Sequence, residues 1–377
     1  MNTPRPPRST DAHPVDERDW LAQERALPDP SGDRRDAVLA RALRTMPVSR
    51  PPADFAAEVA RLAAAGFSTR TAFSDAPVYG GKSWLSVATV QTGVRIETPS
   101  LYDEMEPSAA RLGTITNFFK SQGYRTVSLQ PGNYRNDMRF PDPYARDRQY
   151  AFKDLRYNGP AYGYVGVPDQ HSLRVFTEDV LSQERGPTFM FYLSISTHHP
   201  FPSIPFEGGG PWPSIPGVEA IPADGAHRAY FNTVEYEWRC LLEFIDRVAD
   251  DDAVFFIIGD HQPLLERTMD DVQELTVLQS SNTPVHVISR NAAFLQRFEK
   301  YGFQPGLAPP PGTGGLRHEG LASLFVHEFV GQFGGEAQQR HTQYYPDGIG
   351  LGGLVAPASR DVGAGSERDG AQEQQGR

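Results

Sequence analysis

Two side chains able to hold a divalent cation stand together at one point of the chain, Asp260 and His261. They follow the apolar run Phe255-Phe256-Ile257-Ile258 and a single glycine, Gly259. Such a run reads as a buried strand, and a strand that stops at Gly-Asp-His delivers a carboxylate and an imidazole to the rim of a sheet, where open α/β sheets place their chemistry. A carboxylate oxygen and an imidazole nitrogen suit Zn2+ or Mn2+. Taken alone, the pair is equally at home as a hydrogen-bonded Asp-His couple without a metal.

A second set is Tyr79-Gly80-Gly81-Lys82-Ser83-Trp84. The Ser83 hydroxyl follows two glycines and a lysine and opens a predicted helix, Trp84 to Thr92. Backbone N–H groups at a helix start attract anions, and glycines let an anion come close to the chain. Ser83 could therefore be a nucleophile, with a metal held by Asp260 and His261 acidifying its hydroxyl. The plainer reading is a serine cap after a glycine turn. A phosphate-binding P-loop requires glycine at position 76, which is Ala76, and a buried strand where the polar run Arg70 to Asp75 stands. An esterase elbow requires glycine at position 85, which is Leu85.

Two further segments carry polar groups suited to substrate binding. Ser196-Thr197-His198-His199-Pro200-Phe201 follows the apolar run Met190 to Ile195 and sets two histidines at a strand end. Tyr144-Ala145-Arg146-Asp147-Arg148-Gln149-Tyr150 interleaves arginines with aromatics, and a guanidinium binds phosphate or sulfate oxygens in pairs. Each also reads as an ordinary solvated loop. His199, His286 and His318 are further candidates that nothing in the sequence ranks.

The elements that must position these groups alternate between strand and helix. Helices are predicted over 55–65, 84–92, 108–122, 169–183, 227–249 and 320–331, and strands over 124–129, 189–196, 253–258 and 284–289. Residues 68–82 read as strand and loop, while 130–168 and 200–224 read as long loops. This alternation predicts an α/β fold with a mostly parallel central sheet flanked by helices. Residues 1–50 are rich in proline and charge and are expected to be disordered or loosely helical, with a short helix at 36–44. A single domain carrying the candidate catalytic groups is expected over 51–354, and a Gly-, Ser- and Gln-rich disordered tail over 355–377.

Composition narrows the function. The net charge of −11 argues against nucleic acid as a partner, since neutralising phosphates needs a basic surface. The single cysteine, Cys240, rules out an intramolecular disulfide. No stretch is apolar enough for a membrane span or a secretory signal, so a cytoplasmic location is expected of the chain as it stands.

In chain order, Gly81-Lys82-Ser83, the Arg146 loop, strand-His198-His199-Pro200-Phe201 and strand-Gly259-Asp260-His261 together resemble the alkaline phosphatase and sulfatase superfamily over roughly residues 55 to 330. Within it, the chain is most similar to the lipoteichoic acid synthase and phosphoglycerol transferase branch. The resemblance implies an alkaline-phosphatase-like fold and one divalent ion, Mn2+ or Zn2+, held by Ser83, Asp260 and His261. It implies that Ser83 is the nucleophile, and that Tyr144, Arg146 and His198, with Tyr150 nearby, bind an anionic or lipid-head-group substrate. Transfer of a phosphoglycerol-type group, or hydrolysis of a phosphodiester, is the implied reaction.

Four departures accompany the resemblance. Tyr144 and Ala145 stand where relatives have Trp and Asn, and Ser83-Trp84-Leu85-Ser86-Val87 does not fit the signature from which sulfatases make formylglycine. Relatives also begin with an apolar strand ending in an acidic metal ligand, and no such strand precedes Phe55. Relatives carry N-terminal membrane spans, which this sequence lacks. The pattern is thus that of a shortened or a divergent soluble member, and the alternative function is a catalytically impaired protein that binds an anionic or polar ligand.

Overall fold

The computed structural model describes residues 56–111, 113–133, 143–183, 186–207, 225–248, 252–263, 281–308 and 315–350. The predicted segments at 1–50 and 355–377 lie outside them. The chain enters at α1 (Ala56–Ala64), which Gly66 terminates with a left-handed φ of 85°. It runs on through β1 (Ser68–Asp75) and α2 (Ser83–Thr92) to α3 (Pro99–Met105) and α4 (Ile115–Ser121). Next come β2 (Arg125–Gln130), β3 (Arg148–Ala151), α5 (Asp169–Asp179) and β4 (Thr188–Tyr192). The 24-residue α6 (Gly225–Val248) leads to β5 (Val254–Ile258) and β6 (Asn282–Ser289). After α7 (Ala292–Gln296), the short strands β7 (Gln304–Pro305) and β8 (Leu316–Arg317) precede α8 (His318–Phe333) and α9 (Glu336–His341).

The strands form two sheets among the described residues. One has five strands in the order β5-β6-β1-β7, with β8 also on β1. The other is β3-β2-β4, parallel throughout. The expected mostly parallel sheet is therefore corrected. The larger sheet is mixed, because β6 pairs antiparallel with both β1 and β5, and only β8 runs parallel to β1. The physical reason is that an apolar run reports burial, which is alike for a parallel and an antiparallel neighbour, and not the direction of the strand beside it.

Helices cover both sheets. Phe294, Phe298, Phe303, Leu321, Leu324 and Phe325 make one core with Val285 and Val287 of β6. Val127, Leu129, Leu173, Phe176 and Cys240 make another between β2, α5 and α6. Apolar side chains of β4 and β5 share these cores: Phe189 and Phe256 join the first, Met190 and Phe255 the second. The two strands thus stand side by side, yet among the described residues β4 pairs only with β2 and β5 only with β6. Every residue of both strands is half-buried, where central strands are normally buried on both faces.

The predicted helix at 108–122 divides into a 3₁₀ turn (Glu106–Arg111) and α4. Thr114 caps α4 by accepting a hydrogen bond from the Asn117 N–H at 3.0 Å, so a fresh helix begins there. The long loop predicted at 130–168 contains β3 and a 3₁₀ turn at Phe152–Leu155.

Candidate active site

Ser83 is the first residue of α2, and the turn before it is unusual. Gly80, Gly81 and Lys82 have φ of 73°, 152° and 65°. Positive φ costs a glycine little and a lysine more, so Lys82 stores backbone strain next to Ser83. The surrounding bonds hold this turn. The Gly80 N–H donates to the Gln262 carbonyl at 2.9 Å. One helical turn further on, Ser86 Oγ donates to the Asp260 carbonyl at 2.6 Å. The Gly-Lys-Ser turn and the Gly-Asp-His turn are therefore one unit.

Behind them, β5 ends at Gly259, whose N–H donates to the Pro284 carbonyl at 2.9 Å. A Cβ there would stand 3.0 Å from Thr283 Cβ and 3.2 Å from Pro284 Cδ, so glycine lets the two strands close together at the rim. His318, at the start of α8, braces the same point. Its Nε2 lies 3.1 Å from the Gly259 carbonyl and its Nδ1 lies 3.0 Å from Ser74 Oγ. Burial lowers its pKa to about 4, so the ring is neutral.

The reacting groups converge. Ser83 Oγ lies 3.0 Å from His261 Nε2, and Asp260 Oδ2 lies 3.5 Å from the same nitrogen. His261 Nδ1 faces the Gln262 carbonyl at 2.9 Å. A carbonyl can only accept, so Nδ1 carries the hydrogen, and it is Nε2 that faces Ser83 and Asp260, with a lone pair to offer whenever it bears no proton. Burial would raise the Asp260 carboxyl, but His261 and the Ser83 hydroxyl outweigh it, and the group is held below its ordinary range. A hydroxyl oxygen, an ionised carboxylate and an imidazole lone pair oriented from behind by a carbonyl form a donor set that fits a divalent cation. Among the described residues, no cluster of three or more His, Cys, Asp or Glu could hold a metal, so a third acidic ligand is not found there.

Tyr144, Arg146 and His198 line the same large cleft as Ser83, Asp260 and His261. The Arg146 guanidinium carbon lies 4.6 Å from the Tyr144 ring centre and 4.9 Å from that of Phe191 on β4. Asp147 anchors this segment rather than lining the cleft. It accepts from the Thr126 N–H at 2.7 Å and from Lys120 Nζ at 2.8 Å. The His198 ring stacks on Tyr164 with centres 4.1 Å apart. Tyr150 turns elsewhere, its ring edge-on to Phe176 in the core beside β2, so it stands apart from the cleft lining.

His286 is also structural. It is buried on β6, with Nδ1 2.9 Å from Thr71 Oγ1 and its ring against Trp238. His199 meets Phe201 at 5.5 Å in the loop after β4. Sequence reasoning missed Tyr230 of α6, which lines the cleft. Burial and the Asp260 charge push its phenol up to about 12. An amphipathic helix gives no sign of which of its aromatics faces a cleft rather than the core.

A comparison with protein families identifies the class. The Sulfatase family profile matches residues 58–301, more than half of the chain, and the chain belongs to that family. Solved structures similar to it include a Vibrio parahaemolyticus protein of the alkaline phosphatase superfamily, with 18% identity over 78% of this chain and 63% of that one and a TM-score of 0.45. Another is the lipoteichoic acid synthase LtaP of Listeria monocytogenes, with 14% identity over 74% and 66% and a TM-score of 0.47. A third is the phosphoglycerol transferase GacH of Streptococcus pyogenes, in complex with sn-glycerol-1-phosphate, with 15% identity over 72% and 67% and a TM-score of 0.46. The chain therefore spans 63% to 67% of the length of these three proteins. No curated protein matches the sequence. Among the described residues, no helix is long and apolar enough to cross a membrane.

Proposed function

We propose that the chain is a metal-dependent phosphoryl-group transferase of the phosphoglycerol type, or a phosphodiester hydrolase, acting through Ser83. The observation that carries this reading is the convergence of Ser83 Oγ, Asp260 Oδ2 and His261 Nε2 within 3.5 Å at a helix start. Asp260, His261 and the Ser83 oxygen would hold one Mn2+ or Zn2+ ion, and the oxygen-and-nitrogen donor set accepts either. When bound, the ion neutralises charge on the Ser83 oxygen and on the substrate phosphate.

The protein's own groups do the rest. Ser83 Oγ forms a bond to phosphorus as the bond from phosphorus to the leaving oxygen breaks, and the Ser83 proton passes through water in the cleft to that oxygen, which departs as the alcohol. Water or an acceptor hydroxyl then displaces Ser83 from phosphorus, and the leaving and entering groups exchange through the cleft. Arg146, fixed between Tyr144 and Phe191, presents a flat guanidinium to the phosphate oxygens. His198, braced on Tyr164, and Tyr144 contact the head group.

The test uses bis(p-nitrophenyl) phosphate and the purified full chain. Ser83→Ala should lower turnover by about 10³-fold or more at unchanged circular dichroism, as removal of a covalent nucleophile does. Normal turnover in that variant would end the assignment. Metal content measured beside Asp260→Ala should show near-stoichiometric ion in the wild type and loss in the variant.

A second reading has its own support, the lack of a third acidic ligand among the described residues. In it, the chain binds an anionic or polar ligand in the same cleft without turning it over. A folded, metal-free wild type that binds glycerol phosphate would select it.

A further inference from the structure

His198 stands in the segment that follows β4, with its ring stacked on Tyr164. A ring stack does not by itself hold a loop histidine in place, because the backbone beneath it must be fixed as well. That backbone is anchored from the start of α5. The Asp169 side chain is fully buried. Its Oδ2 accepts from the Ile195 N–H at 2.8 Å and from the Ser196 N–H at 2.5 Å, and its Oδ1 accepts from the Tyr192 hydroxyl at the end of β4. Ser196 Oγ in turn accepts from the Asp169 N–H at 3.2 Å. The His198 N–H donates to the Ile195 carbonyl at 3.0 Å, so the turn that carries the imidazole is built directly on the anchored residues.

An aspartate in the first turn of a helix ordinarily serves its own helix, where its charge faces the free N–H groups. Asp169 opens α5, yet both of its oxygens are engaged by the end of β4 and the segment beyond it. Burying a carboxylate is costly, and an apolar side chain would serve a plain packing contact better. What the carboxylate adds is direction: it gathers two successive N–H groups and a hydroxyl at one point, which sets the path of the chain as it leaves β4.

The next residue, Gln170, holds the far end of the same segment. Its Oε1 accepts from the Glu207 N–H at 2.9 Å and its Nε2 donates to the Glu207 carbonyl at 2.7 Å. Between the two anchors, Pro200, Pro202 and Pro205 restrict the backbone, and Ile204 and Phe206 pack into the core beside Leu173 and Phe176 of α5. Tyr164 lies just upstream, in a turn closed by the Tyr162 N–H on the Gly166 carbonyl at 3.2 Å. One short stretch, Tyr164 to Gln170, therefore supplies the ring under His198 and both anchors of its segment.

We propose that Asp169 is a positioning residue for substrate binding that acts through His198, with Gln170 securing the other end of the segment. The proposal rests on the reading of His198 as a head-group contact. It does not depend on Ser83 being a nucleophile.

The test measures the Kd of glycerol phosphate for the full chain by titration calorimetry, with Mn2+ present throughout. Wild type, Asp169→Ala, His198→Ala and the double variant are compared, each with its fold checked by circular dichroism. Two residues that act through one contact give non-additive effects, whereas a general loosening of the fold adds to the loss of the histidine. Asp169→Ala and His198→Ala are each expected to weaken binding about tenfold, and the double variant no more than His198→Ala alone. A double variant weakened by the product of the two single effects overturns the proposal and leaves the head-group reading standing. So does an Asp169→Ala protein that binds like the wild type. A wild type that does not bind glycerol phosphate, or a His198→Ala protein that binds as tightly as the wild type, removes the head-group reading and the proposal with it. Should Asp169→Ala fail to fold, Ser196→Ala takes its place in the cycle. That change removes only the acceptor for the Asp169 N–H, its expected effect is about fivefold, and the same outcomes decide.

Discussion

Arg146 is buried between the rings of Tyr144 and Phe191, so its charge is fixed in direction as well as place. A lysine there would keep the charge but lose the stacking and the paired donors. Arg146→Lys is expected to raise KM for bis(p-nitrophenyl) phosphate about tenfold, the order expected for losing a charge-assisted contact, with a smaller effect on kcat. An unchanged KM would remove Arg146 from substrate binding. Gly259 is constrained by space rather than by charge. Gly259→Ala drives a methyl to 3.0 Å from Thr283 Cβ, and the expected cost is about 1–3 kcal/mol of stability, read as a lower melting temperature. The motif residues were legible because types and order survive without any fold: Ser83, Tyr144, Arg146, His198, Asp260 and His261 all reach one cleft. Tyr150 was not, because spacing alone does not say which way a strand residue turns.

Among the elements, β6 carries a pH dependence. Burial lowers the His286 pKa from 6.5 to about 3, so the folded protein holds this ring neutral while the unfolded chain protonates it near 6.5. Its contribution to stability is full above pH 6.5 and is lost as pH falls from there toward 3, at up to about 1.4 kcal/mol per pH unit. His318, lowered to about 4, adds a slope of the same sign. His286→Asn should flatten the fall of melting temperature between pH 6.5 and 4.5. An unchanged slope would show that burial of this ring is not its source. The strand before Asp260 was legible as a continuous apolar run, and α2 through its glycine turn and serine start. The partition of strands into two sheets was not, since periodicity reports burial and not which strand lies alongside. β3 was missed because Arg148-Gln149-Tyr150-Ala151 shows no alternation, its place being set by pairing with β2.

For the whole molecule, the joining of the Ser83 turn to the Asp260 turn has a thermodynamic counterpart. An ion that binds only the folded arrangement stabilises it by mass action, by about 2.7 kcal/mol at a hundredfold excess over its Kd. Mn2+ or Zn2+ should therefore raise the melting temperature of the wild type and not of Asp260→Ala. A shift of equal size in both would place the ion elsewhere. The facing edges of β4 and β5, which no described strand pairs, carry a different consequence, one for behaviour in solution. Exposed strand edges ordinarily recruit the edges of other folded sheets and lead to aggregation. Here α6 stands over one face of the opening and α8 over the other, so the edges lie at the bottom of a recess. A rigid, twisted sheet from a neighbouring molecule cannot follow them in. The recess thus screens the edges from other folded sheets, and the protein should stay monodisperse when concentrated, as light scattering would check.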